Sequence, residues 1–182
     1  PRGTRKRLRR GSKIHFAGDR LFDRLARACC DAECLPRKEL HEAWETARRV
    51  RRRFRGGRVV DLAAGHGLLA HVALLLDGAA PEAVAVDPKP PPTAPRLEAA
   101  LLDAFPGLLG RFRRSTASLE AFELEASDVV LSVHACGALT DRVLERAAAA
   151  GARVAVLPCC HAYGKLDAGG LEGWLDPALA ID

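Results

Sequence analysis

The stretch Arg58-Val59-Val60-Asp61-Leu62-Ala63-Ala64-Gly65-His66-Gly67-Leu68-Leu69 constrains this chain more than any other part of it. It begins as a short apolar run with two β-branched residues, which suits a buried parallel strand. It then breaks at two glycines and resumes as a helix-length apolar segment over residues 68–76. Strand, glycine loop and helix form a geometry that brings backbone N–H groups up to a ligand. The glycines allow close approach, and the helix N-terminus favours a carboxylate or phosphate.

Two cofactor classes use that geometry. Gly65-His66-Gly67-Leu68-Leu69-Ala70 fits the dinucleotide pattern G-x-G-x-x-A, and Asp87 closes the next strand at a suitable distance. Asp61 separates the two. A dinucleotide strand should run apolar into its first glycine, because a nearby carboxylate repels the pyrophosphate. S-adenosylmethionine carries an ammonium and a sulfonium beside its carboxylate, so Asp61 can face the cation while the glycine loop takes the carboxylate. A plain strand–helix turn without a ligand explains neither Asp61 nor Asp87. The pattern D-x-x-x-G-x-G, with an acid ending the next strand, resembles the first two motifs of class I methyltransferases.

Period and punctuation divide the rest. Residues 1–17 are expected to be a basic flexible arm, ordered on nucleic acid or merely solvated. Residues 18–57 read as a helical extension: one helix from about residue 20 through Cys30, and a second opened by Pro36 and running from 37 to about 54. The second ends in Arg48, Arg49, Arg51, Arg52, Arg53 and Arg55, a phosphate-binding surface or a complement to the helix dipole. Residues 58–182 are expected to be the cofactor-binding core. Its strands are predicted at 58–62, 83–87, 111–114 (weak and Arg-rich, suited to an edge), 128–133 and 153–157. Helices are predicted at 67–76, 96–105 and 139–150, with a stiff proline loop over 88–95. Such alternation predicts an α/β, Rossmann-like, doubly wound parallel sheet. With right-handed crossovers, the class I pattern gives order 3-2-1-4-5, and the ligand lies over strands one and four.

Ala63, Gly65, Gly67 and Asp61 are therefore candidate cofactor contacts, with Asp87 on the ribose. Ala117 and Ser118 stand beside the adenine, and His134 and Ala135 at the end of strand four. A second constellation stands at neighbouring strand ends: His134-Ala135-Cys136-Gly137 and Pro158-Cys159-Cys160-His161. Histidines there could orient or deprotonate a methyl acceptor. Zinc ligation is a weaker reading, since the spacing is not C-x-x-C. The cysteines are better read as small buried hydrophobes, as are Cys29, Cys30 and Cys34. His134 and His161 are the candidate catalytic residues, and no metal is expected.

Leu35-Pro36-Arg37-Lys38-Glu39-Leu40, Val60-Asp61-Leu62-Ala63-Ala64-Gly65-His66-Gly67, His134-Ala135-Cys136-Gly137-Ala138-Leu139-Thr140-Asp141 and Pro158-Cys159-Cys160-His161 together resemble one methyltransferase family. It includes the eukaryotic tRNA 2′-O-methyltransferases that modify the acceptor stem. The resemblance spans roughly residues 21–161. It implies the class I fold and S-adenosylmethionine, with Asp61, Gly65, Gly67 and Asp87 as contacts. The zinc-binding segments of the tRNA enzymes have no counterpart here. Class I sheets also end in an antiparallel hairpin after strand five. Strands six and seven are absent from this reading, so the open edge of strand five is expected to self-associate or to be covered by the Gly-rich tail.

The chain has 182 residues, 48% of them hydrophobic, and a net charge of +5, enough for one domain with a core and a surface that permits an anionic partner. With no membrane span and no signal-peptide core, a cytoplasmic location is expected. The expected function is methyl transfer to RNA, tRNA first, bound through the Arg-rich helix and N-terminal arm. A small-molecule methyltransferase and a non-catalytic cofactor-binding subunit are the alternatives.

Overall fold

Short apolar strands with branched side chains need cover on both faces, and the central strands of this protein have it. The computed structural model describes residues 6–158. Five strands, β1 (Val59–Leu62), β2 (Ala83–Val86), β3 (Phe112–Ser115), β4 (Val129–Val133) and β5 (Arg153–Leu157), form one sheet in the order β3-β2-β1-β4-β5. Every pairing is parallel, as expected, and Val60 of β1 sits opposite Val84 of β2 and Val130 of β4. Period-2 alternation sends Val59, Ala83, Ala85, Val129 and Leu131 to one face and Val60, Leu62, Val84, Val86 and Val130 to the other.

The first face is covered by α1 (Leu21–Ala32), α2 (Arg37–Arg53), α3 (Leu68–Leu76) and α4 (Ala94–Ala104). Within that layer α2 packs on α3, and α1 on α4. The second face is covered by α5 (Ala138–Ala149), through Val143 and Ala147, and by Leu119 and Phe122 of the β3–β4 connection. Cys29, Cys30 and Cys34 are buried in the first core, and burial pushes all three thiols up. They serve as small apolar side chains.

Three expectations need correction. Residues 6–17 are not a flexible arm. Leu8 donates its N–H to Leu35 O at 2.9 Å, Arg37 donates to Lys6 O at 3.1 Å, and a 3-10 turn follows over Arg10–His15. The cause is apolar: Leu8 and Phe16 are only 2% and 3% exposed and anchor the segment on α1 and α2. Helix α4 starts two residues early, taking Ala94 and Pro95 from the proline loop, because proline costs nothing in a first helical turn. Pro36 precedes α2 as its cap and is not its first residue.

Strand β3 lies at the sheet edge, and each of its long side chains has a partner. The Phe112 ring stacks on His71 at 3.6 Å, Arg113 pairs with Glu82 at 3.1 Å, and Arg114 reaches back over the glycine loop. At the opposite edge Arg153 donates to Arg55 O, Gly56 O and Ser127 O, tying β5 to the turn that enters β1.

Candidate functional site

The sheet order reverses between β1 and β4, and their carboxyl ends diverge there to leave a cleft. Both strands leave through a non-glycine residue in the left-handed region, Ala63 at φ 56° and His134 at φ 70°. Such backbone costs of order 1–3 kcal/mol and concentrates where a binding geometry is held.

After Ala63 the loop turns at once. Ala64 donates to Val86 O at 3.1 Å, and Gly67 donates to Ala64 O at 2.7 Å before α3 begins. The two glycines look equivalent in sequence but do different work. A Cβ on Gly67 (φ +76°) would meet Ala85 Cβ at 3.0 Å and Arg114 Nη2 at 3.1 Å, so Gly67 lets α3 close on the sheet. A Cβ on Gly65 (φ +51°) would meet nothing within 4 Å. Gly65 therefore borders open space, and Gly67 is needed for packing whatever else it does.

Asp61 points to the α3 side of the sheet and is 2% exposed. Its Oδ2 accepts the Ala70 N–H at 3.3 Å, in the first turn of α3. Burial pushes its pKa up to about 7; the Ala70 hydrogen bond and Arg114 oppose that rise, and Asp87 adds to it. Asp87 holds the loop from the other side, with Oδ2 accepting the Gly65 N–H and Oδ1 the Lys89 N–H, both at 2.8 Å. Each oxygen keeps a second lone pair, so Asp87 orders two loops and can still accept from a ligand. Arg114 satisfies the loop carbonyls, with Nη1 donating to Gly65 O at 3.1 Å and Nη2 to His66 O at 3.0 Å. His66 ties the loop to the start of α4, its Nε2 lying 2.9 Å from Thr93 Oγ1.

His134 donates its backbone N–H to Leu157 O at 3.1 Å. Its Nε2 lies 3.0 Å from Glu42 Oε2 of α2, an ion-pair distance at which the angles do not make a hydrogen bond. Glu39, one turn earlier on α2, lines the same cleft with Asp61, His66, Val133 and His134, and burial pushes its carboxyl pKa up. The space among them is a half-open cleft of about 50 Å³, room for a small polar group but far below the hundreds of Å³ of a whole nucleoside pocket. Ala135 is buried, and its carbonyl accepts from the Thr140 hydroxyl. Ala117 and Ser118 follow β3 on the Asp87 side, where Ser115 O accepts the Asp87 N–H at 3.0 Å. Ser118 Oγ accepts the Ala121 N–H at 3.3 Å, which holds the turn in shape.

The structure thus brings Asp61, Ala63, Gly65, Asp87 and His134 to one end of the sheet. His161, with Cys159 and Cys160, lies outside the described residues. Among the described residues no group of three or more His, Cys, Asp or Glu side chains could hold a metal ion. No helix among them is long and apolar enough to cross a membrane. Sequence reasoning missed Glu39, Glu42, Arg114 and His71. The two glutamates carried a signal: at spacing i, i+3 they flank Ala43 on the apolar face of α2. Arg114 carried none, because strand periodicity does not reveal which neighbouring loop a side chain crosses to.

A family model described as a methyltransferase domain matches residues 38–165. An O-methyltransferase family protein from Burkholderia thailandensis superposes with a TM-score of 0.50 at 23% identity, over 84% of this chain and 46% of that one. The S-adenosylmethionine-dependent methyltransferase SibL, in its apo form, gives 0.49 at 21% identity over 82% and 46%. A candidate RNA methyltransferase from Pyrococcus horikoshii gives 0.40 at 24% over 53% and 44%. The chain spans less than half the length of each of these structures, and no curated protein matches it. The Burkholderia likeness bears on the fold alone, which is the doubly wound sheet described above. The family match covers most of the chain, and this protein belongs to the methyltransferase-domain family.

Proposed function

We propose that the chain is the cofactor-binding core of an S-adenosylmethionine-dependent methyltransferase whose acceptor is RNA, with a tRNA ribose hydroxyl the first candidate. The observation that carries the cofactor is Asp61. A dinucleotide needs the N–H groups at the start of α3 for its pyrophosphate. Here Asp61 Oδ2 takes the Ala70 N–H and puts a buried carboxylate where phosphate charge would stand. A ligand with a cationic amino-acid end fits this donor and acceptor set instead.

In this reading the N–H groups that open α3, at Leu68 and Leu69, receive the ligand carboxylate, and Asp61 and Glu39 face its ammonium. Asp87 accepts from the ribose, with Ala117 and Ser118 beside the base. The small cleft takes the amino-acid end, and the nucleoside lies in the open space beside Gly65, toward Asp87. S-adenosylmethionine, when bound, supplies a methyl group on a sulfonium. Transfer from such a group rests mainly on alignment of the acceptor. His134, beside Glu42, is the first candidate to hold or accept the proton of a hydroxyl acceptor, and His161 is the second.

Titration calorimetry with S-adenosylhomocysteine and NAD, run side by side on the full chain, tests the cofactor. Binding of the first and none of the second is expected. The reverse result would remove the methyltransferase chemistry.

A further inference from the structure

The sequence holds two basic clusters, and the fold sends them to opposite ends of the molecule. Helix α2 runs against the strands: it ends just before the amino end of β1, and its first turn, with Glu39, lines the cleft at the carboxyl ends. Its 17 residues separate Arg37 from Arg53 by roughly 24 Å at 1.5 Å per residue. Arg51, Arg52, Arg53 and Arg55 are exposed near the foot of the sheet, where Arg153 binds Arg55 O.

At the other end, the folded segment pairs Arg7 with Pro36 and sets Lys6, Arg7 and Arg9 beside the start of α2. Two clefts meet at Arg7. One, of about 180 Å³, is lined by Lys6, Arg7, Ser12, His15 and Arg37; the other, of about 230 Å³, by Arg7, Arg9, Glu33 and Arg96 of α4. Many arginines elsewhere are matched, Arg58 with Asp128, Arg113 with Glu82, and Arg48 and Arg49 with Glu45. Among the described residues, Lys6, Arg7, Arg9, Arg37 and Arg96 have no carboxylate at salt-bridge distance. The charge of Arg7 also acts on Glu39 and His66, which line the candidate site, so this surface borders it.

We propose that Lys6, Arg7, Arg9, Arg37 and Arg96 form the surface that seats the phosphates of an RNA acceptor beside the cofactor cleft, and that the arginine cluster at the end of α2 has no part in it. This rests on the RNA reading above. Planar guanidiniums converging on two grooves suit the two exposed oxygens of a phosphodiester, whereas a bilayer calls for a flat face. Position adds to charge: cations at the foot of the sheet cannot hold an acceptor against His134, and those at its carboxyl end can.

The test measures binding of an end-labelled RNA stem–loop with a single-stranded overhang, across a sodium chloride series, with S-adenosylhomocysteine calorimetry on the same proteins. The double variant Arg7→Gln/Arg96→Gln adds no charge and, among the described residues, removes no side-chain hydrogen bond or ion pair. It should lose tenfold or more in RNA affinity, and its log–log salt slope should shrink by about 1.4 to 1.8, at roughly 0.7–0.9 per lost phosphate contact. Its affinity for S-adenosylhomocysteine should shift by no more than about threefold, since Arg7 reaches Glu39 and His66 only through its charge. Arg52→Gln/Arg53→Gln should leave both quantities unchanged. Equal losses in the two double variants, no loss in the first, or binding of anionic vesicles but not of RNA would overturn the proposal. Failure of the native chain to bind S-adenosylhomocysteine, with the RNA pattern as expected, would remove the cofactor reading and leave the surface standing.

Discussion

Asp61 and His71 are both fastened to the first turn of α3, and they make opposite demands on pH. Asp61 is buried, and its pKa rises from 3.8 to about 7. The folded chain therefore holds that proton more tightly than the unfolded chain, so the contribution of Asp61 to stability falls as pH rises from 3.8 to 7. His71 is buried against Phe112 with Nδ1 donating to Gly67 O at 2.7 Å, and its Nε2 has no partner among the described residues. Burial lowers its pKa from 6.5 to about 4. Its contribution is present above pH 6.5 and is lost as pH falls toward 4. Across pH 4–6.5 the two slopes oppose each other. Thermal unfolding of the native protein should vary little with pH there, apart from other groups. His71→Leu should leave the slope of Asp61, with stability declining toward pH 7, and Asp61→Asn should leave that of His71, with stability climbing from pH 4. The slopes amount to on the order of 4 kcal/mol for Asp61 and 3 kcal/mol for His71 over their full ranges. Parallel pH profiles in all three proteins would refute the pairing.

At the scale of the element, the loop between β1 and α3 is held by partners from three other places. Asp87 holds the Gly65 N–H from the end of β2, Arg114 holds two carbonyls from β3, and Thr93 meets His66 at the start of α4. A loop so tied is preorganised, and its two glycines can be told apart by experiment. Gly67→Ala adds a strained left-handed alanine and contacts at 3.0 and 3.1 Å, for a loss of roughly 2–4 kcal/mol in denaturant unfolding. Gly65→Ala adds only the backbone strain, about 1–2 kcal/mol, yet its methyl group enters the open space and should weaken S-adenosylhomocysteine at least tenfold. Equal destabilisation by the two, with ligand binding untouched, would place the ligand elsewhere.

Among the described residues of the whole molecule, the sheet is covered unevenly, with four helices on one face and α5 with the β3–β4 connection on the other. Among the described residues β5 pairs only with β4, and Leu157 is 38% exposed. An open edge of Val154, Ala155, Val156 and Leu157 is a template for pairing. We expect residues 159–182 or a neighbouring chain to cover it in the full chain, so its amides should exchange slowly. Sedimentation combined with amide exchange checks this; a monomer with fast exchange at residues 154–157 would contradict it.

What the sequence determined by itself is local or periodic. Runs such as Val59-Val60 and Val129-Val130 announce strands because a two-residue period maps directly onto faces. The spacing of Asp61, Gly65 and Gly67 announces a strand–loop–helix site because those residues share one turn of chain. Strand order was legible through the handedness of crossovers, and five strands bear it out. Contacts between residues far apart in sequence emerged with the packed fold alone. Leu8 and Phe16 turn a basic tail into a folded strap, because two buried side chains outweigh the repulsion of exposed cations that water screens. Arg114 reaches the glycine loop from 49 residues away, and Glu42 meets His134 across the cleft. The antiparallel run of α2 against the sheet separates two arginine clusters that are alike in composition. No spacing rule encodes these contacts, because packing sets which surfaces meet, and packing depends on the whole chain at once.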